Sequence, residues 1–251
     1  MSRMSDTEMI INPSRDPNEP DLPPAGLFLI NPTEANAGLK LAINRGGHEH
    51  FLFNSKLSLI PENQTSKPFF IAGPSVGAPM AVLTLEKLIV LGAQRIIIYG
   101  WCGSLSNTLR IGDVLLPIWA KSDEGSSTHY PVNPRPESHA PTRQLLTEGL
   151  AAQDLTVHSG PIWTTDAPYR ESVDQVNLLS ELGVLGVDME FAALSAAAAF
   201  RKIELTAVML VSDELWSGKW NPGFRTKGFK KKSRDILHFL ADFCSTLSAA
   251  K

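Results

Sequence analysis

The sequence predicts a single α/β domain in which helices cover both faces of a central mixed, mostly parallel β-sheet. From Gly26 onwards, strand-like and helix-like segments alternate along the chain. Two strand-like segments, residues 95–100 (RIIIYG) and 205–211 (LTAVMLV), are apolar without alternation. Unbroken apolar strands are expected where helices pack on both faces of a sheet.

The individual elements have local signals. The first strand is predicted at residues 26–30 (GLFLI), and the stretch 48–60 (HEHFLFNSKLSLI) reads as one further strand. Pro79 and Gly92 delimit the first predicted helix, because proline suits the first helical turn and glycine suits the C-terminal cap. Apolar residues recur at helical spacing in the last helix, so it is expected to pack on the body. The remaining strands are predicted at residues 67–73, 95–100, 112–120, 155–165, 183–188 and 205–213, and the helices at residues 78–92, 140–153, 169–183, 189–201 and 234–249.

Composition excludes several classes of partner. The chain has 251 residues, 43% of them hydrophobic, and 23 basic residues against 26 acidic ones. This balance gives no field that would collect nucleic acid or an anionic membrane, so neither partner is expected. The two cysteines, Cys102 and Cys244, lie far apart in sequence, which indicates neither a disulfide framework nor a paired-cysteine metal site.

The first 24 residues differ from the rest of the chain. They are polar and contain five prolines, so residues 1–24 are predicted to be a flexible leader and residues 25–251 the folded domain. No apolar run has the length of a signal peptide or of a membrane span. We therefore expect a cytoplasmic protein.

Ligands of open α/β sheets bind beyond the carboxyl ends of the strands. That rule indicates residues 100–104, 166–170 and 212–215, with residues 187–190 (VDME) as a fourth place. Asp213 and Glu190 stand out there because each acid follows an apolar segment. The alternative for both acids is helix or turn capping. For Glu190, the alanine-rich helix that follows predicts close packing on the sheet and a partly buried carboxylate, which needs a partner.

Three other polar stretches have a simpler structural explanation. Residues 166–171 (DAPYRE) read as a surface turn with charge pairs, and residues 224–234 (FRTKGFKKKSR) as the solvated start of the last helix. His48 and His50 lie on one face of a predicted strand without a third ligand nearby, so no metal site is expected. No phosphate-loop, dinucleotide or zinc signature occurs in the chain.

Four motifs, taken in order, resemble the nucleoside phosphorylase family, which includes uridine phosphorylases, hexameric purine nucleoside phosphorylases and methylthioadenosine nucleosidases. They are Gly-x-x-Gly at Gly100 to Gly103, Ile-Gly-Asp from Ile111, Met189-Glu190 and Ser212-Asp213. The resemblance runs from about Leu27 to the C-terminus. It implies a three-layer single domain assembled as a homodimer or homohexamer, and an enzyme that cleaves the ribosyl N-glycosidic bond of a nucleoside.

The resemblance also assigns roles. The family's match to Glu190 binds the ribose hydroxyls, and Met189 packs on the sugar. The match to Asp213 protonates or hydrogen-bonds a departing purine, because an anionic base leaves poorly. Such an acid needs a raised pKa, so a largely desolvated setting is expected for Asp213. No cofactor is implied, and inorganic phosphate is the one co-substrate considered.

The identity of the base stays open between purine and pyrimidine. Residues 211–215 (VSDEL) carry the aspartate typical of purine enzymes, whereas residues 122–130 (SDEGSSTHY) look more like a uridine phosphorylase segment. Asp166, Tyr169 and Arg170 lie where uridine phosphorylases recognise uracil, but the family's Gln-x-Arg pattern is absent. Trp101, Cys102 and Gly103 are expected to form the floor of the pocket.

The phosphate site departs most from the family pattern. Ile98 and Trp101 replace an arginine and a serine or threonine, and Glu34 in residues 30–35 (INPTEA) replaces a second arginine. Each charged hydrogen bond that is lost weakens phosphate binding by roughly 1.5–3 kcal/mol, so losing three donors should cost several kcal/mol of binding free energy. Arg45, reaching in from a neighbouring subunit, and Arg225 are candidate replacements.

Three readings therefore remain besides phosphorolysis. Water could be the nucleophile, with Glu34 as general base, as in the nucleosidase branch of the family. The chain could instead be a nucleoside-binding protein that has lost catalysis, against which the retention of Glu190 and Asp213 argues. A purely structural α/β module is the third reading.

Overall fold

The computed structural model describes residues 9–52, 54–64 and 66–247. The first eight residues of the predicted leader lie outside this range. So do Phe53 in the predicted strand 48–60, and the end of the predicted last helix beyond Leu247.

The described residues form ten strands and six helices, apart from short 3-10 turns. The strands are β1 (Ala25–Leu29), β2 (His48–Leu52), β3 (Ser55–Ile60), β4 (Phe69–Gly73), β5 (Arg95–Ser104), β6 (Val114–Asp123), β7 (Val157–Thr165), β8 (Gly186–Asp188), β9 (Glu204–Glu214) and β10 (Asn221–Pro222). The helices are α1 (Pro32–Asn44), α2 (Ala78–Leu91), α3 (Ala140–Ala151), α4 (Val173–Glu181), α5 (Phe191–Arg201) and α6 (Lys227–Leu247).

All described strands belong to one mixed sheet, in the order β10-β9-β6-β7-β8-β5-β1-β4-β3-β2. Strand β9 also pairs with β5, so β5, β9, β6, β7 and β8 form a closed ring. The pairings β1–β4, β1–β5, β5–β9, β6–β7 and β7–β8 are parallel. Antiparallel pairings are equally numerous among the described strands, so the predicted mixed sheet is confirmed without a parallel majority.

Helices cover the sheet on both sides, as the unbroken apolar strands predicted. One apolar cluster contains Leu85 of α2 and Leu194 of α5 with alternate residues of β5. The other contains Leu146 of α3 and Leu240 of α6. Strand β5 is buried along most of its length, which explains why its sequence lacks a polar alternation.

Six elements differ from the sequence-based expectation. The stretch 48–60 forms the antiparallel pair β2 and β3, with a turn at Asn54, a residue type that favours turns. Helix α4 begins at Val173 rather than residue 169, because Ser172 Oγ caps it by accepting from Gln175 N at 3.2 Å. Helix α1 and the short β10 were not predicted, although Pro32 at the first turn is a start signal for α1. Helix α6 starts earlier than expected, within the basic run.

The described part of the predicted leader lies on the C-terminal end of α2. Arg15 Nη2 donates to Leu91 O at 3.0 Å, and Lys87 Nζ pairs with Glu19 Oε2 at 2.6 Å. Leu22 is buried. A cation at the C-terminal carbonyls of a helix is favourable, so these contacts fix the entry of the chain into β1. Within the described residues, no helix combines the length and the apolar character needed to cross a membrane.

Candidate active site

A cavity of about 560 Å³ lies at the carboxyl ends of β5, β8 and β9 and beside the turn that follows β7. All four places predicted from the sequence contribute residues to the cavity lining. These residues are Trp101–Gly103, Pro168 and Tyr169, Asp188–Glu190, and Ser212–Asp213. The volume is that of a small-molecule site, so the predicted edge of the sheet carries the candidate active site.

Glu190 is buried at this edge, and its side chain does not cap α5. Its Oε1 accepts the Gly77 N–H at 2.6 Å, from the loop that precedes α2. The capping role belongs to Asp188, whose Oδ2 accepts from Glu190 N at 3.1 Å and Phe191 N at 2.7 Å. The capping alternative considered for Glu190 therefore applies to its neighbour Asp188.

The two acids titrate as a buried pair. Burial raises the pKa of Glu190 well above its ordinary value, and the charge of Asp188 raises it further. Burial also raises the pKa of Asp188, although Thr164 Oγ1, donating at 2.6 Å, and the two backbone N–H groups act in the opposite direction. Asp188 keeps more hydrogen bonds to its carboxylate than Glu190, so Glu190 is the acid whose charge depends on what enters the cavity.

Asp213 stands on β9 and lines the cavity. Its Oδ1 accepts from Ser212 Oγ at 2.6 Å and its Oδ2 from Trp220 Nε1 at 2.9 Å. The expected desolvated setting was wrong, because the residue is only half-buried and Trp220 is 62% exposed. A carboxylate with a donor on each oxygen is held in place rather than left free.

Trp101 and its neighbours form the floor of the cavity. The indole ring stacks on Phe224 at 5.8 Å between centroids and meets Phe229 edge-on at 5.1 Å. At Gly103 a Cβ atom would lie 2.5 Å from Leu215 Cδ1, so a larger residue there would displace the Leu215 side chain. Burial raises the pKa of the Cys102 thiol well above its usual range, and Cys102 is therefore a neutral apolar surface.

Three buried polar atoms near Trp101 have no hydrogen-bond partner among the described residues. They are Asn31 Oδ1, Glu34 Oε2 and Trp101 Nε1. Asn31 and Glu34 lie at the start of α1. Leu29 of β1 pairs with Tyr99 of β5, and the same register two residues further on places Asn31 beside Trp101. Asn31 and Trp101 line the cavity, whereas Glu34 does not. The group therefore offers two acceptors and one donor next to the cavity floor.

Glu34 is held by α6 at its other oxygen. Ser233 Oγ donates to Glu34 Oε1 at 2.7 Å. Burial raises the pKa of Glu34, and the hydrogen bond from Ser233 and the nearby indole N–H of Trp101 oppose that rise. The indole N–H lies close to the Glu34 carboxyl without forming a hydrogen bond to it.

Five predicted site residues, Glu34 and four others, are not among those that line the cavity. Asp166 Oδ2 accepts from Gly125 N at 3.1 Å, and Arg170 is exposed in a 3-10 turn. Arg45 Nη1 pairs with Asp242 Oδ1 at 2.8 Å, and Arg225 lies 5.6 Å from the Phe224 ring. No phosphate-binding role for either arginine is supported within this chain.

Sequence reasoning missed four lining residues. Glu171, Lys219, Trp220 and Asn31 all border the cavity, but none had been given a role. Glu171 was quoted within the stretch 166–171, and its place just after a strand end and before the Ser172 cap is a signal that could have found it. Lys219 is the one Lys or Arg among the residues that line the described cavity.

Metal ligation was considered through His48 and His50, which lie on β2 opposite Leu59 and Leu57. In the part of the chain that the structure describes, no three His, Cys, Asp or Glu residues cluster as a metal site would require.

The ring of strands and its edge cavity define the class of the protein as an α/β enzyme with a small-molecule site. Residues 37–242 match the model of the phosphorylase superfamily. The chain therefore belongs to the phosphorylase superfamily, and the predicted family, fold and enzymatic nature are confirmed.

Two curated relatives illustrate the sequence similarity. Guanosine phosphorylase of Halorubrum lacusprofundi is 26% identical over 185 residues, which cover 72% of this chain and 76% of that protein. A DeoD-type purine nucleoside phosphorylase of Bacillus cereus is 28% identical over 152 residues, which cover 59% of this chain and 65% of that protein.

Solved structures show the same fold. Purine nucleoside phosphorylase from Toxoplasma gondii, in complex with immucillin-H, superposes with a TM-score of 0.79 at 19% identity, covering 91% of this chain and 93% of that one. A futalosine hydrolase mutant of Helicobacter pylori superposes with a TM-score of 0.69 at 19% identity, covering 86% and 96%. At such identities the likeness establishes the fold alone.

Proposed function

We propose that this protein cleaves the ribosyl N-glycosidic bond of a purine nucleoside and that water, rather than phosphate, attacks the sugar. Family membership and the two curated relatives support cleavage of a nucleoside. The choice of water rests on one observation, the group of unpaired polar atoms of Asn31 and Trp101, which line the cavity, and of the nearby Glu34, which does not.

The ribose would bind at Glu190 and Met189. The Glu190 carboxylate can accept hydrogen bonds from two ribose hydroxyls while its Oε1 keeps the Gly77 N–H. Those hydrogen bonds strengthen as the sugar becomes cationic, so they stabilise the transition state more than the bound substrate. Binding would also favour the charged form of Glu190, against the effect of burial.

The base would lie between Asp213 and the aromatic rim. Tyr169 is fully exposed and Trp220 largely exposed, and both border the cavity. Asp213 is the aspartate typical of purine enzymes, whereas Arg170, the candidate for uracil recognition, does not line the cavity. These two positions favour a purine over a pyrimidine.

Phosphate is disfavoured at the floor. A buried oxyanion with nearly two charges needs cationic donors, and Glu34 would repel it. Trp101, which packs on Phe224 and Phe229, is far bulkier than the serine or threonine of the family pattern at this position. Water has the complementary groups, because it can donate to Asn31 Oδ1 and Glu34 Oε2 and accept from Trp101 Nε1.

The proposed reaction balances without a cofactor. The bond between C1′ and the base nitrogen breaks and its electron pair stays on the base, which receives a proton from an acid at the base end. The water oxygen bonds to C1′ and its proton passes to Glu34. The products are the free base and ribose, and Glu34 later returns the proton to solvent.

Phosphorolysis is the second candidate, favoured by the family description and by the guanosine phosphorylase relative. In that case Lys219, or Arg45 of a neighbouring subunit, would supply positive charge. We also propose a cytoplasmic homodimer or homohexamer acting in nucleoside catabolism or salvage.

The test is a panel of purine and pyrimidine nucleosides incubated with and without phosphate, with base release followed over time. We expect purine release at a rate that phosphate does not change. Release that requires phosphate would establish phosphorolysis instead. Binding of a nucleoside without release of its base would identify a binding protein.

A further inference from the structure

Glu171 lines the cavity and has no role in the reaction described so far. It follows the 3-10 turn Pro168–Arg170 and precedes the Ser172 cap of α4. Its side chain makes no hydrogen bond to any residue in the described ranges 9–52, 54–64 and 66–247, in contrast to the paired carboxylates of Asp188 and Asp213. The Glu171 carboxyl is therefore available to a ligand.

The position of Glu171 is at the base end of the cavity. Its carboxyl is close enough to Asp213 for the two acids to interact electrostatically. The loop after β9 meets the same segment, since a Cβ atom at Gly218 would lie 3.7 Å from Val173 Cγ1. Trp220, which donates to Asp213, is at the end of that loop. Glu171 and Asp213 thus flank one space beneath the aromatic rim.

The two acids differ in their hydrogen bonds. Asp213 accepts from Ser212 Oγ and Trp220 Nε1, one donor on each oxygen. Glu171 has no such donors, so of the two neighbouring acids it is the one that can exchange a proton with a ligand without breaking a hydrogen bond.

We propose that Glu171 is the catalytic acid that protonates the departing base, and that Asp213 orients the base. This inference rests on the proposed function. As the bond from C1′ to the purine nitrogen breaks, the Glu171 proton moves to the purine ring and the electron pair of the bond stays on the base. Glu171 then takes a proton from solvent before the next turnover.

The acid–base properties of Glu171 support this role. Burial, and then the charge of Asp213, raise the pKa of Glu171 to about 7. A general acid works best when its pKa is near the working pH. The other titratable or charged groups that border the cavity are Lys219 after β9, Tyr169 in the 3-10 turn, Cys102 on β5, and Asp188 and Glu190 at the end of β8.

Two substrates separate a proton donor from a structural role. A purine nucleoside needs its leaving group protonated, whereas 4-nitrophenyl ribofuranoside releases a nitrophenolate that needs no proton. We expect E171Q to lower kcat for the purine nucleoside by about 100-fold or more, the usual contribution of a general acid, while nitrophenol release stays close to the wild-type rate. E171D should recover part of the purine activity.

The pH profile gives a second readout. In the wild type, purine cleavage should fall as pH rises through about 7, because the acid must carry its proton. That fall should be absent from the residual activity of E171Q. The matched control is D174N, which removes an exposed acid from the first turn of α4 and should leave rate and profile unchanged.

The outcomes are distinguishable. Equal losses on both substrates, or an unchanged purine rate in E171Q, overturn the role of Glu171 while leaving the proposed function standing. A wild-type protein that cleaves neither any nucleoside nor the nitrophenyl riboside refutes the proposed function and, with it, the role of Glu171.

Discussion

Replacing Glu190 by glutamine removes one charge from the ribose end of the cavity and changes little else. The amide oxygen of glutamine can still accept the Gly77 N–H that Glu190 Oε1 accepts at 2.6 Å. The side-chain length is unchanged, so the loop before α2 and the start of α5 should keep their positions. What is lost is the carboxylate that faces the ribose hydroxyls in the proposed complex.

The size of the effect follows from the hydrogen bonds at stake. A hydrogen bond to a charged group contributes about 1.5–3 kcal/mol and a neutral one about 0.5–1.5 kcal/mol, so each substituted bond loses roughly 1–1.5 kcal/mol. Two ribose hydroxyls give a loss of roughly 2–3 kcal/mol in the transition state. That loss lowers kcat/KM by about 30- to 160-fold.

The effect of E190Q on stability is opposite in direction to its effect on activity. The pKa of Glu190 is raised in the folded state, so its contribution to stability is complete below its unfolded pKa and is lost as pH rises through the folded pKa. The melting temperature of E190Q relative to wild type should therefore increase between pH 5 and pH 8. Thermal unfolding at several pH values measures this directly.

The assay is steady-state base release from a purine nucleoside, with E86Q as matched control. Glu86 is also buried, and it pairs with Arg201 Nε at 2.9 Å outside the cavity lining. We expect E86Q to melt at a lower temperature and keep its kcat/KM, and E190Q to do the reverse. Full kcat/KM in a folded E190Q would refute the role given to Glu190.

Three further substitutions test other parts of the site. E34Q should lower the rate of base release by about 100-fold or more, as loss of a general base does. Its melting temperature relative to wild type should rise with pH, because burial raises the pKa of Glu34 in the folded protein. An active E34Q would exclude the role of Glu34 as general base. W101A should lower the free energy of unfolding by about 3–5 kcal/mol in urea titrations, because it empties the space against Phe224 and Phe229. W101F should lower the free energy of unfolding by less. Equal losses in the two variants would mean that the aromatic contacts contribute nothing. D213N should reduce cleavage of purine nucleosides far more than cleavage of uridine, and comparable losses on both would remove the argument for a purine.

Much of the fold could be predicted from the sequence because its strands and helices are marked by local or periodic patterns of apolar residues. Strands β5 and β9 are apolar along their length, and the face of α6 that packs on the sheet is marked by helical spacing. The hairpin of β2 and β3 escaped prediction because the apolar pattern of residues 48–60 hardly breaks at the turn at Asn54. Closure of the ring could not be predicted either, since the pairing of β9 with both β5 and β6 joins segments distant in sequence.

Candidate site residues could be predicted where an acid stood at a strand end. Glu190 and Asp213 were proposed in that way and Met189 through the family resemblance, and all three border one cavity. The unpaired atoms of Asn31 and Trp101 were not, because they become neighbours only when β1 and β5 pair side by side. Arg45 shows the converse limit, since its partner Asp242 lies on α6 and no local pattern connects them.

We propose that water, rather than phosphate, attacks the sugar, and phosphorus NMR of a reaction mixture tests this most directly. Enzyme and purine nucleoside are combined in phosphate buffer, and spectra are recorded while base release is followed on the same sample. The account predicts that base accumulates while inorganic phosphate stays the only phosphorus signal, with free ribose as the sugar product. A sugar phosphate signal that grows in proportion to the released base would contradict it.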